Sequence, residues 1–230
     1  LGAVLALSIL LLDRTTGIAK KPQPFKHLFS KSSAVNRLSA ARFFLFGSRD
    51  IWFVVALPVF LQSQLQWSYI QVGSMMAAWV FAYGVVQTVA PKVTVIGKTV
   101  KDSNITHPSG RTAFRWVALL CLVPAAIAGG LYAAGSNISL VASGLVSGLL
   151  VFGALFAINS SIHSYLIVAY AREDGTSLDV GFYYMCNAAG RLVGTLLSGL
   201  VYQQFGLAAC LLLSSGMLIA TAVISKKLPN

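Results

Sequence analysis

Charge is scarce in this sequence, and acidic charge is scarcest. Asp and Glu number 6 against 17 Lys and Arg, and charged residues make up only 10% of the 230-residue chain. A water-facing surface is not built from so few charges, which excludes an ordinary soluble domain. Cysteine is nearly absent: Cys121, Cys186 and Cys210 form no CxxC pair, so neither a disulfide framework nor a metal site is indicated. Gly-rich phosphate loops, HExxH and GxSxG are missing as well, which argues against an enzyme and leaves no cofactor to expect. His163 with Ser160 and Ser164 comes nearest to a hydrolase cluster, but no carboxylate in that segment orients the imidazole.

Long apolar runs take the place of charge, with 57% hydrophobic residues. Six stretches, 42–62, 69–89, 114–134, 139–169, 179–203 and 207–225, approach or exceed the ~20 residues that span hydrocarbon as a helix. They lack period-two alternation, so the expected fold is all-α, a polytopic membrane bundle of six transmembrane helices. Residues 1–12 are apolar but too short to span, with no basic region that marks a signal peptide; they read as the end of a preceding helix. Residues 13–38 read as a basic cytoplasmic linker broken by Pro22 and Pro24, and 39–230 as a six-helix unit. A second polar connection, 91–112, reads as an exposed loop in which His107 is solvated.

The cations alternate along the chain. Arg14, Lys20, Lys21, Lys26, Lys31 and Arg37 precede the first span, Lys92, Lys98, Lys101, Arg111 and Arg115 follow the second, Arg172 follows the fourth, and Lys226 with Lys227 lies beyond the sixth. Connections 63–68, 135–138 and 204–206 hold no Lys or Arg. The positive-inside rule then puts both ends and every basic loop in the cytoplasm of a multi-pass protein of the plasma or bacterial inner membrane. The net charge of +11 is accounted for by topology, so the expected partner is the lipid bilayer and not nucleic acid.

Polar residues are concentrated on four spans. The first holds Arg42, Arg49 and Asp50; the second Trp79, Tyr83 and Gln87; the fourth Asn159, Ser160, Ser161, His163 and Ser164. On the fifth, Tyr184, Asn187, Arg191, Thr195, Ser198 and Tyr202 recur every three or four residues and make one polar stripe. Charges inside hydrocarbon face a bundle interior or a wet cavity, whereas the third and sixth spans are almost wholly apolar in their interiors and suit lipid. Gly144-xxx-Gly148 and Gly190-xxx-Gly194 predict close helix approach, and Pro58 and Pro124 predict kinks.

This arrangement resembles the carboxy-terminal half of the major facilitator superfamily, whose two six-helix halves enclose a central substrate site. More narrowly, ARFFLFGSRDIWFVVALPVFL (41–61), NSSIHSYLIVAYA (159–171) and LDVGFYYMCNAAGRLVGTLLSG (178–199) resemble the organoarsenical efflux permeases called ArsJ. The resemblance covers most of the chain from Leu38 onward. It implies a secondary active antiporter or exporter of 1-arseno-3-phosphoglycerate, a small, multiply charged oxyanion, for arsenate resistance. It also implies an amino-terminal transporter half as partner, without which the cavity has one wall.

Several residues suit such a cargo. Arg49 and Arg191 lie well inside their spans, about 10 Å of helix rise beyond Arg42 and about 18 Å beyond Asp179. A guanidinium offers a fixed fork of donors to phosphate, arsenate or carboxylate and stays charged, so these two are the expected substrate contacts; the competing reading is a structural ion pair with Asp50. Asp50 is expected to pair an arginine or to carry a proton, and His163 to touch substrate or proton or merely to join neighbouring spans. Asn187, Asn159, Tyr183, Tyr184 and Gln87 are expected to complete the oxyanion's hydrogen bonds. Arg42 is expected to snorkel to the cytoplasmic interface. The alternatives are an exporter of another phosphorylated metabolite or a drug, and a membrane assembly fragment that does not transport by itself.

Overall fold

The computed structural model describes residues 32–95, 108–172 and 175–229. The expected helix end at 1–12, the linker through residue 31, and the loop around His107 fall outside them. The described residues are helical, with no strand: α1 Ser33–Phe53, α2 Ala56–Ser63, α3 Tyr69–Val95, α4 Gly110–Ala134, α5 Ile138–Tyr170 and α6 Thr176–Ser225.

Five segments among the described residues, not six, are long and apolar enough to cross a membrane: Ser33–Ser63, Tyr69–Lys92, Gly110–Ala134, Ile138–Tyr170 and Thr176–Ser225. Such a set is compatible with a multi-pass membrane protein. The count differs from expectation because the fifth and sixth stretches form one 50-residue helical element, α6, interrupted at Gly206. There φ is +75°, a left-handed value that glycine adopts without a Cβ penalty. Cys210 Sγ lies 3.9 Å from the Ser198 carbonyl oxygen, so the chain folds back and its two arms lie side by side.

The first stretch begins earlier than expected, at Ser33, where the Ser32 hydroxyl accepts from the Val35 N–H. It also breaks, between α1 and α2. Pro58 has no N–H, and its ring crowds the carbonyl four residues back, that of Val54. The helix gives way in the turn at Val54 and Val55. This frees the Ala56 N–H, which donates to the buried Ser198 Oγ at 3.1 Å, so the break is tied to α6. By contrast, α3 runs on through Pro91 and α4 through Pro124.

α1 lies along both arms of α6. The Ser214 hydroxyl donates to the Ser48 carbonyl at 2.6 Å. A Cβ at Gly190 would collide with the Phe43 backbone carbonyl, and one at Gly194 would stand 2.6 Å from Gly47 O. Absent side chains thus set this crossing, as the Gly190-xxx-Gly194 spacing predicts. The other glycine pair divides. Gly148 meets Ile127, but Gly144 has nothing within 4 Å.

Among the described residues, Arg37, Lys226 and Lys227 gather at one end of the bundle. Arg37 donates to Lys227 O at 2.8 Å, and Pro229 O accepts from both the Gly110 N–H and the Tyr170 hydroxyl. These bonds join the starts of α1 and α4 to the ends of α5 and α6. Two apolar clusters fill the interior, the larger around Trp52, Phe152, Phe156 and Leu211, the smaller around Leu38, Ile162 and Tyr183.

Candidate anion-binding site

Arg42, Phe46 and Arg49 recur at i, i+4 and i+7 on α1, a spacing that puts them on one helix face. Asp50 follows directly and is 1% exposed. Neighbours in sequence do not normally face each other on a helix, but the long Arg49 side chain curls back. Its Nε and Nη2 both lie 2.6 Å from Asp50 Oδ1. The second oxygen, Oδ2, accepts from Arg191 Nε at 3.0 Å. Both arginines expected to contact substrate therefore meet on one carboxylate, brought together by the glycine crossing: a Cβ on Gly194 would lie 3.2 Å from Asp50 Cβ.

Arg42 departs from expectation. It does not snorkel; it is 4% exposed. Its Nη1 donates to Ser160 O at 3.2 Å and to Ser160 Oγ at 3.3 Å, and its Cζ sits 4.0 Å from the Phe46 ring centre and 5.0 Å from that of Tyr183. Length explains the error: α1 starts at Ser33, so Arg42 lies more than two turns inside the helix and not at its mouth. Its Nε has no hydrogen-bond partner, and no carboxylate among the described residues pairs with it.

The charges do not balance. Among the described residues, Arg49 and Arg191 meet on one carboxylate, and Arg42, on the same α1 face, has none. The Cζ atoms of Arg42 and Arg49 lie 4.0 and 5.2 Å from the same Phe46 ring centre, hence at most about 9 Å apart, a repulsion of about 2 kcal/mol at an effective dielectric constant of about 20. Aromatic faces offset part of this, since Arg49 also lies 5.4 Å from the Phe156 ring centre.

The other expected residues are distributed unevenly about this cluster. Tyr183 is fully buried against Arg42, while Tyr184, in edge contact with it, is 52% exposed. Asn159 is buried and donates from Nδ2 to Leu155 O at 2.9 Å, leaving Oδ1 unpartnered. Asn187 is half-buried with Oδ1 likewise unpartnered. His163 is fully buried, and neither ring nitrogen has a partner. Gln87 lies on α3, half-buried, with no hydrogen bond to the cluster among the described residues.

Arg191 has a 53% exposed side chain on the stripe that carries Tyr184 and Asn187. A guanidinium held between long apolar helices is too costly to leave against acyl chains, so this stripe suits water or protein better than lipid. The open apolar groove of about 910 Å³ between α4 and α5, lined by residues such as Leu122, Ile127 and Val151, contains none of these groups. Sequence reasoning missed Arg42 and Ser160 as members of the cluster; the i, i+4, i+7 repeat through Phe46 was the available signal. No protein-family model matches this chain, and no curated protein matches it.

Proposed function

We propose that this chain is one half of a secondary active membrane carrier that exports a small organic oxyanion. On the ArsJ resemblance the cargo is 1-arseno-3-phosphoglycerate and the outcome arsenate resistance. The carrying observation is the charge imbalance: among long apolar helices, Arg49 and Arg191 share one carboxylate, Asp50, and Arg42 has no carboxylate partner among the described residues. A site built to stay closed matches its charges; a site built for an anion keeps cations in excess and lends them a carboxylate while empty. In this reading Asp50 holds the Arg49 and Arg191 forks until the cargo's oxygens replace it, as carboxylate and phosphate accept the same geometry.

The gathering of Arg37, Lys226 and Lys227 near the Gly110 end of α4 supports a cytoplasmic orientation for that end. The half-exposed stripe of Tyr184 and Arg191 supports a second helical half facing it across an aqueous path. The test is flux in vesicles carrying the full protein. Arg49→Ala and Arg191→Ala together are expected to lower anion transport by roughly tenfold to a hundredfold for each arginine removed. Normal transport by the correctly inserted double variant would reject the assignment.

A further inference from the structure

The anion reading accounts for Arg49 and Arg191, both held by Asp50. It leaves Arg42 unexplained. This guanidinium is almost wholly buried, bonds only a serine hydroxyl and a backbone carbonyl, and has an unpartnered Nε. One turn beyond Ser160, the residue that Arg42 bonds, His163 is fully buried on α5 with neither nitrogen bonded. Native proteins rarely leave such groups unsatisfied, because each orphaned buried donor costs on the scale of a lost hydrogen bond. Here two neighbouring side chains do so, and neither faces a carboxylate among the described residues.

The inventory is rich in donors. The Arg42 fork, the Ser160 hydroxyl and an imidazole N–H all donate. Such a set fits an oxyanion, and its Arg42 lies on the same α1 face as Arg49, two turns away, with both guanidinium groups near the Phe46 ring. Separate cationic steps at that spacing, within about 9 Å at their Cζ atoms, suit a short chain that is anionic at both ends.

We infer that Arg42, with Ser160 and His163, forms an inner oxyanion subsite that takes one end of the cargo while Arg49 and Arg191 take the other. The inference rests on the anion-carrier reading and adds the residues that select a two-ended anion over a one-ended one. Arg42 is then a specificity residue: without it, a cargo with one anionic end loses little and a cargo with two loses most.

The experiment compares two probes in vesicles carrying the full protein: 3-phosphoglycerate, anionic at both ends, and inorganic phosphate, which has one centre. Each is offered as a competitor of labelled 3-phosphoglycerate. Wild type is expected to prefer 3-phosphoglycerate, and Arg42→Gln to lose roughly tenfold to a hundredfold of that preference while its apparent affinity for phosphate stays within about twofold. Arg42→Lys keeps the charge but not the fork and is expected to fall between them. An unchanged preference in Arg42→Gln, or equal losses for both probes, overturns the subsite.

Should Arg42→Gln fail to fold, Ser160→Cys in a protein with Cys121, Cys186 and Cys210 replaced by Ser gives a second reading. The subsite predicts that a negatively charged methanethiosulfonate labels this cysteine from the aqueous side and that 3-phosphoglycerate slows the labelling. Absence of labelling, or labelling that the probe does not slow, overturns it. Failure of the carrier reading looks different: no probe is transported or bound even by wild type.

Discussion

Asp50 and Asp179 are both buried, at 1% and 0% exposure, yet they keep opposite company. Asp179 stands in the first turn of α6, where a negative charge favours the helix start. It accepts from the Arg172 backbone N–H at 3.2 Å, and from its Nε and Nη2 at 3.1 Å each. Arg172 in turn fills the space beside Gly175, where a Cβ would lie 2.9 Å from Nη2. Among the described residues Asp179 meets a single guanidinium, that of Arg172, and the pair closes a turn. Asp50 sits mid-helix, holds two guanidinium groups and has a third two turns away. A matched pair fixes structure, whereas an outnumbered carboxylate leaves positive charge for another anion to neutralise.

The largest expected break in that comparison is Asp50→Asn. Removing the shared acceptor strands Arg49 and Arg191, and loss of one partner from a buried pair costs about 3–5 kcal/mol. Because the Arg191 side chain is 53% exposed, water screens its share and the effect falls toward the lower figure. Thermal unfolding in detergent reads it, and addition of 3-phosphoglycerate is expected to recover part of the loss. A variant as stable as wild type would show that the cluster does not need its carboxylate.

Gly190→Ala comes next, because the new methyl meets the Phe43 backbone carbonyl, which cannot rotate away as a side chain can. Overpacking of this kind costs about 1–3 kcal/mol, and separating α1 from α6 should also reduce transport. Gly144→Ala, with open space around it, is the control and is expected to leave unfolding unchanged within about 1 kcal/mol. Equal effects at the two glycines would remove the crossing from the account.

Asp179→Asn sharpens the contrast. It should cost about 1–3 kcal/mol and leave the ratio of 3-phosphoglycerate to phosphate transport untouched, since Asp179 bonds Arg172 and not the guanidinium groups at Asp50. A changed ratio would put the two carboxylates in one class. The smallest effect is expected for Ser198→Ala, which strands the Ala56 N–H at about 1 kcal/mol in the same unfolding assay; full stability there would mean that the break before Pro58 finds another acceptor.

Much of this architecture was legible because its signals are local. Apolar length gave the helices, and the alternation of Lys and Arg marked the end at which Arg37 meets Lys227. The Gly190-xxx-Gly194 spacing foretold the crossing, and Asp50 was the only carboxylate deep in a span. The remainder depends on distances between segments. Whether Asp50 would choose Arg49 or Arg191 is decided where α1 meets α6, and it accepts both. The pairing of Arg172 with Asp179 depends on the turn that joins α5 to α6, which composition does not encode. Arg42 was misread because the helix start was placed at Arg42 itself, while the apolar positions Val35 and Leu38 already belong to the core. The connection at 204–206 was legible, since Gly206 is where the chain doubles back between the two arms of α6.

Binding of an anion to the purified full protein tests the central claim most directly. With 3-phosphoglycerate at a hundredfold excess over its Kd, wild type is expected to gain about 2.7 kcal/mol and a rise in Tm of several degrees, given about 2–4 °C per kcal/mol at this size. Arg49→Gln with Arg191→Gln should show no rise under the same conditions. A wild-type Tm that ignores the anion, or a double variant that responds as fully as wild type, would contradict the account.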